Sequence, residues 1–124
     1  MNILIVDDYL YIRKQIISLL LTEFPNIQFF EASDGLEAIN MANCVIWDLI
    51  LLDISMPIKN GIETLKELRD LGIEAPILII SFQVEYNYEK KLLKMGASGY
   101  LNKEHLSSDL ISIVYSILPA KHEP

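Results

Sequence analysis

Three stretches of the chain are apolar without a break: Ile3-Leu4-Ile5-Val6, Leu49-Ile50-Leu51-Leu52 and Ile77-Leu78-Ile79-Ile80. Unbroken runs of this length read as strands covered on both faces, as in a parallel sheet between helical layers. Residues 27–31 and 98–101 are weaker strand candidates, more polar or shorter, as sheet edges tend to be. Between the strands the period becomes helical. Residues 9–24 place Ile12, Ile16, Leu19, Leu20 and Phe24 on one face. Asp34-Gly35-Leu36-Glu37 has the form of a capping box and opens a helix to about Asn43. Asn60 caps a third helix bearing Ile62, Leu65 and Leu68, which Gly72 ends. Residues 84–95 form a fourth, stopped by Gly96. The fifth carries Leu106, Leu110, Ile113, Val114, Ile117 and Leu118, and Pro119 terminates it.

A β-α unit repeated five times predicts an α/β domain with a doubly wound parallel sheet. With strands one, three and four central and strands two and five at the edges, the order is 2-1-3-4-5. That is the flavodoxin-like (βα)5 three-layer sandwich, in which ligands bind beyond the carboxyl ends of strands one and three. The chain has 124 residues, 52% hydrophobic and 22% charged, so one domain with a sizeable core is expected and disorder is excluded. Residues 1–118 read as that domain and residues 119–124 as a tail or the start of a linker. The net charge of −7 argues against direct nucleic-acid binding, and the apolar runs are too short to span a membrane. One cysteine excludes an internal disulfide. With no basic n-region behind Met1, a cytoplasmic domain is expected.

The acid is placed unevenly. Residues 1–57 hold eight acids and two bases, and most of the negative charge lies there. Asp7-Asp8 follows strand one, Asp53 follows strand three, Ser81 follows strand four and Asn102-Lys103 follows strand five. In the predicted sheet all of them emerge at one edge. Three carboxylates and one ammonium leave two negative charges uncompensated, which a hard divalent cation such as Mg²⁺ would neutralise through oxygen ligands. Such a site accepts a phosphoryl group, and a carboxylate such as Asp53 is a competent nucleophile toward it.

These residues carry a resemblance. Asp7-Asp8, Asp53 within Leu51-Leu52-Asp53-Ile54-Ser55-Met56-Pro57, Gly61, Ser81 and Gly96-Ala97-Ser98-Gly99-Tyr100-Leu101-Asn102-Lys103 together resemble the receiver domain of bacterial two-component response regulators. The resemblance covers essentially the whole chain. It implies that Asp53 accepts a phosphoryl group from a histidine kinase or phosphotransfer protein, in a domain that is not an enzyme in the usual sense. Asp8, Asp53 and the Ser55 carbonyl would bind Mg²⁺ (or Mn²⁺ in its place), and Asp7 would act through a metal-bound water. Lys103 and the Ser81 hydroxyl would hold phosphoryl oxygens. Tyr100 matches a switch aromatic that turns inward as the Ser81 loop moves. The responding surface, helix four, strand five and helix five, is where a homodimer would form.

Two positions depart from the family pattern. Phe82 stands where a small residue is usual and narrows access to Asp53, and Glu104 follows Lys103 where proline is common. Gly-Ala-Ser-Gly-Tyr-Leu with a non-proline after the lysine is most like receivers joined to LuxR-type helix-turn-helix domains, so a transcriptional regulator is expected. A stand-alone receiver, a phosphorylation-independent interaction module and an Mg²⁺-dependent phosphohydrolase are the alternatives. Simpler readings stand beside the sharp ones. Asp7-Asp8 could merely open a helix, and Lys90, Lys91 and Lys94 read as a solvated face. Trp47 and Cys44 read as packing residues, and His105 and His122 lack companions for a triad or metal site. No phosphate-binding glycine loop is present.

Overall fold

The computed structural model describes residues 1–54, 60–82 and 88–118. Within them the chain runs β1 (Asn2–Val6), α1 (Leu10–Leu21), β2 (Gln28–Ala32), α2 (Gly35–Met41), β3 (Leu49–Asp53) and α3 (Gly61–Asp70). It continues through β4 (Ile77–Ser81), α4 (Tyr88–Lys94), β5 (Gly99–Asn102) and α5 (Leu106–Ile117), with a 3-10 turn at Lys103–His105 before α5. The five strands pair in parallel in the order β2-β1-β3-β4-β5, as the burial pattern of the runs predicts.

The strand pleat divides the core in two. Ile3, Ile5, Leu49, Leu51, Leu78, Ile80 and Leu101 face α1 and α5, where they meet Ile12, Ile16, Leu20, Leu106, Leu110 and Val114. Leu4, Val6, Ile50, Leu52, Ile77 and Ile79 face the other way, against Ala38 of α2, Leu65 and Leu68 of α3 and Leu92 of α4. Each fully buried aliphatic side chain contributes about 1.5–3 kcal/mol relative to exposure. The three central strands therefore hold most of the driving force.

Element boundaries differ from the sequence expectation by one to three residues. β3, β4 and β5 each run one residue further, to Asp53, Ser81 and Asn102, because the backbone ladder continues past the apolar runs: Asp53 pairs with Ile80 and Ser81 with Asn102. α1 closes at Leu21 rather than Phe24, since the Thr22 hydroxyl and amide turn back onto the Leu19 carbonyl. Asp34 caps α2 by accepting from the Glu37 amide at 2.8 Å. The returning bond of a capping box is replaced: the Ser33 hydroxyl donates to the Glu37 carboxylate. Asn60 caps α3, and Gly72 and Gly96 follow α3 and α4 with φ of 86° and 107°. The expected start of helix four, and Pro119 with the tail, lie outside the described residues. Trp47 packs as expected, buried edge-on to Phe30 with its indole donating to the Ala42 carbonyl. Cys44 does not: it is exposed, on the loop between α2 and β3. Lys90, Lys91 and Lys94 are exposed. Among the described residues no helix is long and apolar enough to cross a membrane.

Arg69, at the end of α3, ties the far side of the sheet together. Its guanidinium donates twice to the Gly96 carbonyl (2.9 and 2.7 Å) and once each to the carbonyls of Ile73 (2.7 Å) and Ala75 (2.8 Å). The turn after α4 is thus pinned to the connection between α3 and β4. Hydrogen bonds to a charged donor are the stronger kind, so Arg69→Met should lower stability by about 2–4 kcal/mol. Urea unfolding is the measurement, with a lower midpoint and an unchanged slope. Arg69→Lys should recover only part of the loss, because an ammonium cannot span three carbonyls as a planar fork does.

Candidate functional site

Asp7, just past β1, is held at three points. Its amide donates to the Ala32 carbonyl of β2 at 3.0 Å, and its carbonyl accepts from Arg13 Nη1 at 2.7 Å. Its Oδ1 accepts from the Tyr9 amide at 2.9 Å, an Asx turn that starts the approach to α1. The simple reading of the acidic pair is therefore half right. One oxygen of Asp7 serves the helix start, and the other faces the site.

Asp53 ends β3 and is 1% exposed. Gly61, the first residue of α3, lies against its backbone, and a Cβ there would collide with the Asp53 carbonyl oxygen and Ile54 Cα. Only glycine permits that approach.

Lys103 enters from β5. The Asn102 side chain accepts from the Glu104 amide at 2.9 Å and folds the chain into the 3-10 turn that presents Lys103. This bond gives the Glu104 departure a physical reason, since proline has no amide to donate. Lys103 Nζ stands 2.7 Å from Asp7 Oδ2 and 3.2 Å from Asp53 Oδ2, all three side chains being almost fully buried. At 2.7 Å the Asp7 contact is an ion pair, yet Asp7 Oδ2 makes no hydrogen bond of acceptable geometry.

Asp8 is exposed, but one oxygen from each of Asp7, Asp8 and Asp53 lies within 4.8 Å of the others. Hard carboxylate oxygens, one buried and lacking a hydrogen bond, with two negative charges left over after Lys103, fit a divalent cation such as Mg²⁺. Ser55 lies outside the described residues.

Ser81 and Tyr100 lie on the opposite face of the sheet from Lys103. Ser81 is buried at the end of β4 and shares a side-chain hydrogen bond with Tyr100. Tyr100 is half-buried and packs against the core beneath α3 and α4. Burial pushes its phenol above the usual 10, the charges of Glu89 and Asp53 push the same way, and the Ser81 bond opposes them.

A family model for the response regulator receiver domain matches residues 3–115. The chain belongs to that family. It is 38% identical over 121 residues to the nitrate/nitrite response regulator protein NarL of Escherichia coli, covering 92% of this chain and 53% of that protein. It is 31% identical over 119 residues to the chemotaxis protein CheY of Halobacterium salinarum, covering 96% and 98%. A crystal structure of a two-component response regulator from Clostridium difficile superposes with a TM-score of 0.87 at 25% identity, covering 99% of each chain. The chain spans about half the length of NarL, while CheY matches it nearly end to end.

Two features of this receiver domain escape a reading of the sequence. Arg13 bridges the Asp7 carbonyl and Glu31 (3.0 Å), and Lys14 also reaches Glu31 (2.9 Å). Phe82 turns its ring toward Lys103, with Nζ 5.3 Å from the centroid. The Arg13–Glu31 bridge has no local signal, because it joins elements that are distant in sequence. For Phe82 the strand parity is a signal: Leu78 and Ile80 point to the same side.

Burial works to raise the Glu31 carboxyl, but the bonds and charges of Lys14 and Arg13 outweigh it and hold the group below its usual 4.5. A carboxyl with a depressed folded value contributes stability above its unfolded value and loses it as pH falls through the folded one. Glu31→Gln should therefore be less stable than wild type at neutral pH, with the gap closing below about pH 4.5. Paired thermal melts across that range are the check, and a gap constant with pH would contradict the pairing.

Proposed function

We propose that this receiver domain is a phosphorylation-operated switch in which Asp53 accepts a phosphoryl group from a histidine kinase or phosphotransfer protein. The observation that carries the reading is the Lys103 ammonium bridging the buried carboxylates of Asp7 and Asp53 beside the exposed Asp8. A buried carboxylate set against one ammonium is poised to exchange a bare negative charge for a phosphorylated one. Asp53 Oδ attacks phosphorus, the bond from phosphorus to the donor imidazole nitrogen breaks, and the electron pair leaves with that ring. Lys103 then pairs with a phosphoryl oxygen and the Ser81 hydroxyl donates to another. Mg²⁺ would be held by Asp8, Asp53 and the Ser55 carbonyl, with Asp7 acting through water, and would supply charge neutralisation. A Ser81 hydroxyl drawn toward the phosphoryl group alters its bond with Tyr100, and the response spreads through α4, β5 and α5, where a homodimer would form.

The domain reading assigns residues 1–118 to the receiver and 119–124 to a tail or linker. Similarity to NarL favours the receiver part of a transcriptional regulator over a stand-alone switch, with a cytoplasmic location. The domain itself makes no direct contact with nucleic acid or membrane in this reading.

Incubation with Mg²⁺ and acetyl phosphate should add one phosphoryl group to the wild-type chain, read by intact mass. Asp53→Asn keeps the shape and removes the nucleophile, so the gain should vanish. A variant that labels as fast as wild type would sink the assignment.

Mg²⁺ should also raise the melting temperature, since a ligand of the folded state stabilises by about 2.7 kcal/mol at a hundredfold excess over its Kd. Asp8→Ala should lose most of that rise. Without metal the variant should be at least as stable as wild type, because one of three crowded negative charges is gone. An undiminished Mg²⁺ response in Asp8→Ala would remove that residue from the ligand set.

A further inference from the structure

Phe82 is half exposed. Its ring lies 5.3 Å from Lys103 Nζ, within cation–π range, and Lys103 Nζ is itself 3.2 Å from Asp53 Oδ2. On its other side the ring closes a concavity of about 260 Å³ shared with Tyr9, Tyr11 and Ile12 of the β1–α1 region. Tyr9 and Tyr11 are exposed there and Ile12 is buried. An apolar wall thus stands between solvent and the Lys103–Asp53 pair, on the α1 side of the sheet.

We infer that Phe82 sets the lifetime of the phosphorylated state by excluding the water that hydrolyses it. This rests on Asp53 being the phosphoacceptor. In the step concerned, a water oxygen attacks phosphorus and the bond from phosphorus to Asp53 Oδ breaks. The electron pair returns to the carboxylate, so the acyl phosphate dianion and water yield a carboxylate and dihydrogen phosphate. Water must reach the phosphorus for this to occur, and it must be free to form hydrogen bonds as it approaches. A ring that offers no hydrogen bond and covers Lys103 removes both conditions on that side. The same wall hinders small phosphodonors, so entry and loss slow together.

The test uses the full chain, labelled with acetyl phosphate and Mg²⁺, freed of donor by desalting and followed by intact mass. Phe82→Ala should lose its phosphoryl group at least about fivefold faster than wild type, which corresponds to about 1 kcal/mol of barrier. It should also label faster with the same donor. Phe82→Leu keeps an apolar bulk without the aromatic ring and should stay close to wild type in both rates. Circular dichroism and melting of the two variants verify that the fold is intact. Wild-type decay in Phe82→Ala overturns the inference while leaving Asp53 as the acceptor. Decay as fast in Phe82→Leu as in Phe82→Ala also overturns it, because the aromatic contact with Lys103 and not the exclusion of water would then be responsible. A wild-type chain that takes no phosphoryl group overturns the acceptor reading and this inference with it.

Discussion

The structure depends on one ammonium placed between two buried carboxylates. Asp7 and Asp53 are 0% and 1% exposed, and two negative charges at that depth are unfavourable without a cation. Among the described residues, Lys103 is the base that forms ion pairs with both. Removing one partner of a buried pair typically costs about 3–5 kcal/mol, so the position of Lys103 is not free to drift. Each neighbouring element is arranged to hold it. β5 delivers the chain to Asn102, the Asn102 cap bends it into the 3-10 turn, and Leu106 and Leu110 anchor α5 in the core directly after that turn. From the other side, the Ala32 carbonyl, the Tyr9 amide and Arg13 hold Asp7.

How much of this is legible in the sequence depends on which interactions are local. The uninterrupted runs at residues 3–6, 49–52 and 77–80 announce buried parallel strands, because a strand covered on both faces has no polar side to show. Their rank by apolarity then yields the sheet order. Asp7, Asp8, Asp53, Ser81 and Lys103 are found once the strand ends are known, since parallel strands bring their carboxyl ends to one edge. The strand ends themselves read one residue short at Asp53, Ser81 and Asn102. A polar side chain breaks the hydrophobic pattern while its backbone stays in the ladder. Cys44 departs from expectation for a different reason: its residue type is usually buried, but here it falls on a loop. The Arg69 clamp and the Arg13–Glu31 bridge join segments far apart in sequence or bond to carbonyls, which every residue carries. No residue pattern marks such partners in advance.

The pleat has a further consequence for how a change at Asp53 leaves the site. Asp53 and Lys103 belong to the side of the sheet covered by α1 and α5, where Phe82 meets the ammonium and the β1–α1 aromatics. Tyr100 belongs to the other side, packed with the core under α3 and α4. A signal confined to the first side would reach α1 and α5 and miss Tyr100. Ser81 and Phe82 are adjacent at the end of β4, and they face opposite ways: Ser81 bonds to Tyr100, and Phe82 covers Lys103. The backbone between them is therefore the shortest covalent path across the sheet. In this chain the residue that would guard the phosphoryl group and the residue that would report it are consecutive. Movement of Ser81 toward Asp53 would act on the Phe82 backbone as well, so protection of the site and the state of Tyr100 would be linked through a single peptide bond.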